Sequence, residues 1–118
     1  MSFSEVLKET VDRVPGAVAA LIVASDGIPV QEYAVEKLID FNDLSAEAST
    51  LIKDIEMASE ELKLGRAKEF ALISDRCGII MHRITSEYYY CVVIRPDGNY
   101  GKARFVIKTV IPRIEKEF

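Results

Sequence analysis

Few residues in this 118-residue chain could do chemistry, and their spacing narrows the options further. His82 is the single histidine, so neither a multi-histidine metal centre nor a His-based triad can be assembled. It falls in a strand-like segment and reads as a structural histidine with its hydrogen bond satisfied; a proton shuttle is the alternative. Cys77 and Cys91 stand apart with no CxxC pattern and no neighbouring histidine. They read as buried free thiols, with a disulfide or a metal site as the alternative. Asp26, Asp75 and Asp97 each sit among turn residues, where a carboxylate bonds local amides more readily than it shares acid–base work. Gly16, Gly27, Gly65, Gly78, Gly98 and Gly101 read as turn or terminus positions, and neither GxxxxGK[ST] nor GxGxxG is present to cradle a phosphate. Tyr88, Tyr89 and Tyr90 alternate across a strand, and packing accounts for them better than base stacking does, because no basic groove surrounds them. No catalytic, cofactor-binding or metal-ligating residue is therefore expected.

Composition agrees with that reading. The formal charge is −4 and the pI about 5.0, which argues against nucleic acid as a partner. No apolar stretch approaches the roughly 20 residues that cross a bilayer, so no direct membrane insertion is expected. The opening MSFSEVLKE lacks the basic start and apolar core of a signal peptide, and the sparse cysteines suit the cytoplasm. Residues 1–118 read as one domain, without repeats or linkers.

The elements that must position these residues follow from periodicity. Ser2-Phe3-Ser4-Glu5 fits a capping box, and Phe3, Val6, Leu7, Thr10, Val11 and Val14 form one helical stripe ended by Pro15-Gly16. Ala17 to Ala24 is apolar at consecutive positions, the pattern of a strand covered on both faces. Asp26-Gly27 supplies the φ > 0 positions of a tight hairpin into a second strand, Ile28 to Ala34, and Pro29 marks that strand as a sheet edge. A long helix follows, capped by Asn42 or Asp43 and running to about Lys63. Strands are predicted at Lys68–Ser74, Ile79–Ile84 and Tyr88–Arg95. A last helix buries Ala103, Val106, Ile107, Val110, Ile114 and Phe118, with Pro112 kinking or fraying its final turn. The fold class is α+β, an α/β sandwich of order α-β-β-α-β-β-β-α: a five-stranded antiparallel sheet with the first and last helices on one face and the second alone on the other.

The second helix carries the functional argument. Leu44, Ala48, Leu51, Ile55, Ala58 and Leu62 form a 3.5-residue seam, which Ile52 and Ser59 widen. One helix cannot bury so broad a surface on its own sheet, so an isologous two-fold pairing of second helices is expected, assisted by the third strand through Phe70 and Leu72. The alternative is a monomer whose sheet curls over the helix. From Glu32 to Lys63, nine acids face three bases; from Tyr100 to Phe118, five bases face two acids. Each run reads first as a solvated helix face, and beyond that the acidic one as a surface for a basic partner.

The Pro15-Gly16-Ala17 lead-in, the Ala20-Leu21-Ile22-Val23 strand and the Ser25-Asp26-Gly27-Ile28-Pro29-Val30 turn, in this order of elements, resemble the Roadblock family. That family groups the Roadblock-type dynein light chains with MglB-like regulators of small GTPases. The resemblance spans essentially the whole chain, although many relatives carry a glycine where this one has Ala19-Ala20. It implies a profilin-like Roadblock architecture and a dimer joined through the second helix and third strand. It also implies a non-enzymatic regulator whose paired second helices form a platform for a small Ras-like GTPase, without a cofactor. Carried to this sequence, the dimer interface is Ala48, Leu51, Ile52, Ile55, Ala58, Ser59, Leu62, Phe70 and Leu72, and the platform contacts are Lys53, Met57 and Glu60. An assembly adaptor or scaffold subunit, with no effect on nucleotide hydrolysis, is the alternative.

Overall fold

The computed structural model describes residues 2–118. Eight elements follow in the order α1 (Phe3–Arg13), β1 (Ala17–Ala24), β2 (Pro29–Ala34), α2 (Phe41–Glu61), β3 (Glu69–Ile73), β4 (Gly78–Arg83), β5 (Tyr88–Ile94) and α3 (Tyr100–Glu115). The strands form one sheet of order β2-β1-β5-β4-β3, antiparallel throughout. The long α2 crossover is what carries the chain from one end of the sheet to the other. It leaves β2 and β3 as the two edges and β1 beside β5 at the centre. Both central strands are buried along almost their whole length, as their unbroken apolar runs require.

Two cores sandwich the sheet. On one face α1 and α3 pack Leu7, Val11, Val106, Ile107, Val110 and Ile114 against Ile22, Ile80, Tyr90 and Ile94. On the other, α2 packs Phe41, Leu44, Ala48 and Ile52 against Leu21, Val23, Met81, Cys91 and Val93. The α1/α3 face is also pinned by polar bonds. Thr10 Oγ1 lies 2.6 Å from the Tyr90 hydroxyl in a fully buried setting, and Glu9 bridges Arg113 of α3 (2.8 Å) and Arg13 (3.2 Å). Phe118 finishes this face as an aromatic lid, stacked on Tyr88 and Phe3 at ring separations of 4.5 and 5.3 Å.

Local chemistry departs from the sequence expectation at four places. Ser2 Oγ accepts from the Glu5 N–H at 3.2 Å, but the reciprocal bond from Glu5 is absent among the described residues. The β1–β2 connection is a three-residue loop, Ser25-Asp26-Gly27, closed by the Ala24 N–H donating to the Ile28 carbonyl at 2.8 Å. Only Gly27 has positive φ (96°), as in a type I turn followed by a left-handed residue; Asp26 does not. The α2 cap is Asp40 rather than Asn42 or Asp43: its carboxylate accepts from the Asp43 N–H at 3.0 Å, which brings Phe41 into the helix as a core residue. Finally, α3 neither stops nor frays at Pro112 but continues to Glu115. Pro112 and Lys108 are exposed, so water can take the carbonyl that the proline leaves unbonded.

Candidate functional site

The surface that stands out is the part of α2 that its own sheet does not cover. Helix residues buried beneath α2 are Phe41, Leu44, Ser45, Ala48, Ser49 and Ile52, all in its first half or at its middle, and then only Ser59. Beyond Ile52 the apolar residues come into the open: Met57 is 61% exposed and Leu62 68%, and Leu72 on the edge strand is 52% exposed. Leu51 and Ala58 are exposed too, while Ile55 and Phe70 are half-buried.

Of the residues expected at a two-fold seam, Ala48, Ile52 and Ser59 therefore lie beneath the helix within the chain. The reason is periodicity. A straight α-helix turns every 3.6 residues, so a 3.5-residue seam drifts by about 20° per heptad. Leu44 and Ala48 at its start face the sheet and Leu51 and Ala58 rotate out of it, while Leu62, about five full turns from Leu44 and pointing the same way, is open because it caps the helix past Glu61. Ser59 is buried for a local reason: its hydroxyl donates to the Gly65 carbonyl at 2.6 Å. At the same place the Leu64 N–H reaches the Ser59 carbonyl (2.9 Å) and the Lys63 N–H the Glu60 carbonyl (3.0 Å), a Schellman end to the helix. Its left-handed position is occupied by Lys63 at φ 59°, where glycine is usual.

At about 100° per residue, Lys53, Met57 and Glu60 fall on the opposite flank of α2 from Leu51, Ala58 and Leu62. The structure gathers those three in one open groove of about 770 Å³ with Glu56, Lys63, Gly65 and Arg66. Within it Glu56 accepts from the Tyr89 hydroxyl (3.2 Å) and from Arg66 Nε (2.8 Å). The chain after α2 is thereby tied back to β5. Burial, with the Glu56 charge adding, raises the Tyr89 pKa, and the bond to Glu56 raises that of Arg66. Sequence reasoning missed this triad. A Glu, an Arg ten residues later and a distant Tyr become neighbours only once β5 lies beneath α2.

The residues weighed for chemistry are occupied elsewhere. His82 Nδ1 donates to the Arg83 carbonyl at 2.8 Å. Cys77 and Cys91 are buried free thiols; burial, with Cys77 adding, pushes Cys91 up to about 12, far from a reactive thiolate. Asp26 accepts from the Ile28 N–H at 3.3 Å within its turn. Among the described residues no cluster of His, Cys, Asp or Glu is placed to hold a metal ion. No helix there is long and apolar enough to cross a membrane. The arrangement offers an apolar floor, a charged rim and a free strand edge, which is the make-up of a docking surface.

Solved structures with the same architecture cover 95% or more of this chain. MglC from Myxococcus xanthus is 29% identical, with all of both chains covered and a TM-score of 0.73. The gliding protein MglB from Thermus thermophilus is 18% identical over 95% of this chain and 84% of its own, at a TM-score of 0.86. A Roadblock/LC7 domain from Streptomyces avermitilis is 16% identical over 97% and 98%, at 0.78. No protein-family model matches the chain, and no curated protein matches it.

Proposed function

We propose that this chain, whose fold and structural neighbours fit a Roadblock/MglB-like family, is a non-enzymatic regulator of a small Ras-like GTPase in the cytoplasm. It acts as a homodimer. Leu51, Ile55, Ala58 and Leu62 of α2, with Phe70 and Leu72 of β3, meet their copies across a two-fold axis. Lys53, Met57 and Glu60 on the other flank form the platform. The observation that carries this reading is the exposed apolar second half of α2 beside a strand edge with no neighbour, a combination that a lone subunit would not leave in water. Because Glu56 in the groove is held by Tyr89 and Arg66, any effect on GTP hydrolysis is expected to pass through the partner. A docked surface biases a switch loop between ordered and disordered states.

The test is to mix the protein with a GTPase encoded beside its gene and measure complex formation and GTP turnover together. A stable complex with altered turnover supports regulation. A stable complex with unchanged turnover moves the assignment to an assembly adaptor, and no complex with any Ras-like GTPase of the same cell sinks the proposal.

A further inference from the structure

Two separate faces of the sandwich carry charge of opposite sign. On α3, Lys102, Arg104 and Lys108 form no ion pair among the described residues, and no acid interrupts them before Glu115. They surround Phe105, a large aromatic left 56% exposed, with Lys102 Nζ 5.4 Å from its ring centre. At the far edge of the sheet, an open groove of about 580 Å³ runs between β2 and the start of α2. Val30, Leu38, Ile39 and Phe41 supply its apolar lining, and Glu32 and Asp40 its rim, with Asp43 one turn into the helix. Lys37 is the one base in this lining; it lies 5.1 Å above the Phe41 ring and 3.8 Å from Glu32.

We infer that the groove beside β2 receives the α3 face of a second copy, Phe105 lying along its Val30, Leu38 and Ile39 side while Lys102 and Lys108 meet Glu32 and Asp43. Complementarity of sign on one chain favours a like copy over an anionic bilayer, because the chain as a whole is negative and would be repelled from one. A helix-borne side chain suits this edge better than an added strand does. Pro29 offers no N–H there, and the register slips between Ile22 and Val23. The contact is heterologous: each copy gives a knob and a slot, so it propagates until geometry closes it. It lies at the opposite edge of the sheet from β3 and needs no GTPase.

Sedimentation velocity over a concentration series tests it. Assembly beyond any salt-insensitive species is expected at about 50 mM salt and lost at about 500 mM, where the Debye length is far shorter. Lys102→Glu/Lys108→Glu and, separately, Glu32→Lys/Asp43→Lys should each weaken that assembly about tenfold or more, with unchanged circular dichroism. Mixing the two charge-reversed proteins should restore association, because the acidic α3 of one now fits the basic groove of the other. Failure of the mixture to associate overturns the inference. So does a mass indifferent to salt, or binding of the wild type to phosphatidylserine vesicles without self-association. A dimer through α2 is apolar and would persist through all of these changes, so the two proposals fail separately.

Discussion

Two helices cover one face of the sheet and one helix covers the other, and the two faces are built to different ends. Beneath α1 and α3 almost every inward side chain is fully buried, and the layer is cross-tied by the Thr10–Tyr90 and Glu9–Arg113 contacts. Beneath α2 the core is complete only as far as Ile52, after which Met57, Leu62 and Leu72 stand in the open. The first face is closed within the chain, and the second is the one that the proposed dimer would complete. A stretch of apolar surface on a protein this size is informative when a fully packed counterpart lies on the other side of the same strands.

The contrast can be broken with core truncations. Ile107→Ala on the closed face should cost about 2–5 kcal/mol in urea unfolding, whereas Leu51→Ala on the open one should cost under about 1 kcal/mol for a single subunit. Equal losses would mean that the two faces are equally committed to the fold. Next in size, Leu62→Asp should leave the fold intact by circular dichroism yet halve the mass seen by light scattering, because a charge buried without a partner at a two-fold seam costs several kcal/mol. An unchanged dimer would place the seam elsewhere. Lys63→Gly should raise stability by about 1 kcal/mol, since glycine adopts the left-handed end of α2 without Cβ strain. A loss on that substitution would show that the Lys63 side chain matters more than its backbone.

The smallest effect concerns acid. The bond to Arg113, assisted by Arg13, lowers the Glu9 pKa below its ordinary 4.5, against the opposing effect of burial. The folded state therefore holds the ionised carboxylate more tightly than the unfolded one does. That contribution is complete above the ordinary value and is lost as pH falls through the depressed one. Glu9→Gln should flatten the acid limb of a stability–pH curve by less than about 1 kcal/mol, as partly exposed pairs do. A steeper limb in the variant would reverse the assignment.

The order of elements, the buried central pair of strands, the two edges and the helix faces were all legible in the sequence, because apolar runs and three-and-four spacing report burial directly. What was hidden depended on atoms brought together from afar or on fine rotations. Asp40 as the cap is hidden in the sequence because nothing there marks Phe41 as already inside the helix. Ala48 and Ile52 turn beneath the helix rather than onto its outer seam because a tenth of a residue per turn separates a heptad from an α-helix. Ser59 looked like a small seam residue, and only the path of the chain through Gly65 shows its hydroxyl to be engaged. The Glu56–Arg66–Tyr89 triad and the Glu9–Arg113 tie join positions whose separation carries no local signal.

The order of strands has one more consequence. At one rim sits β2, with a proline at its start and a slipped register; at the other sits β3, with neither guard. A ribbon whose open rim is spent on joining a like ribbon shows only guarded rims at both new ends. Growth by strand-to-strand pairing would then terminate at two, because neither new rim offers an unguarded strand to extend the sheet.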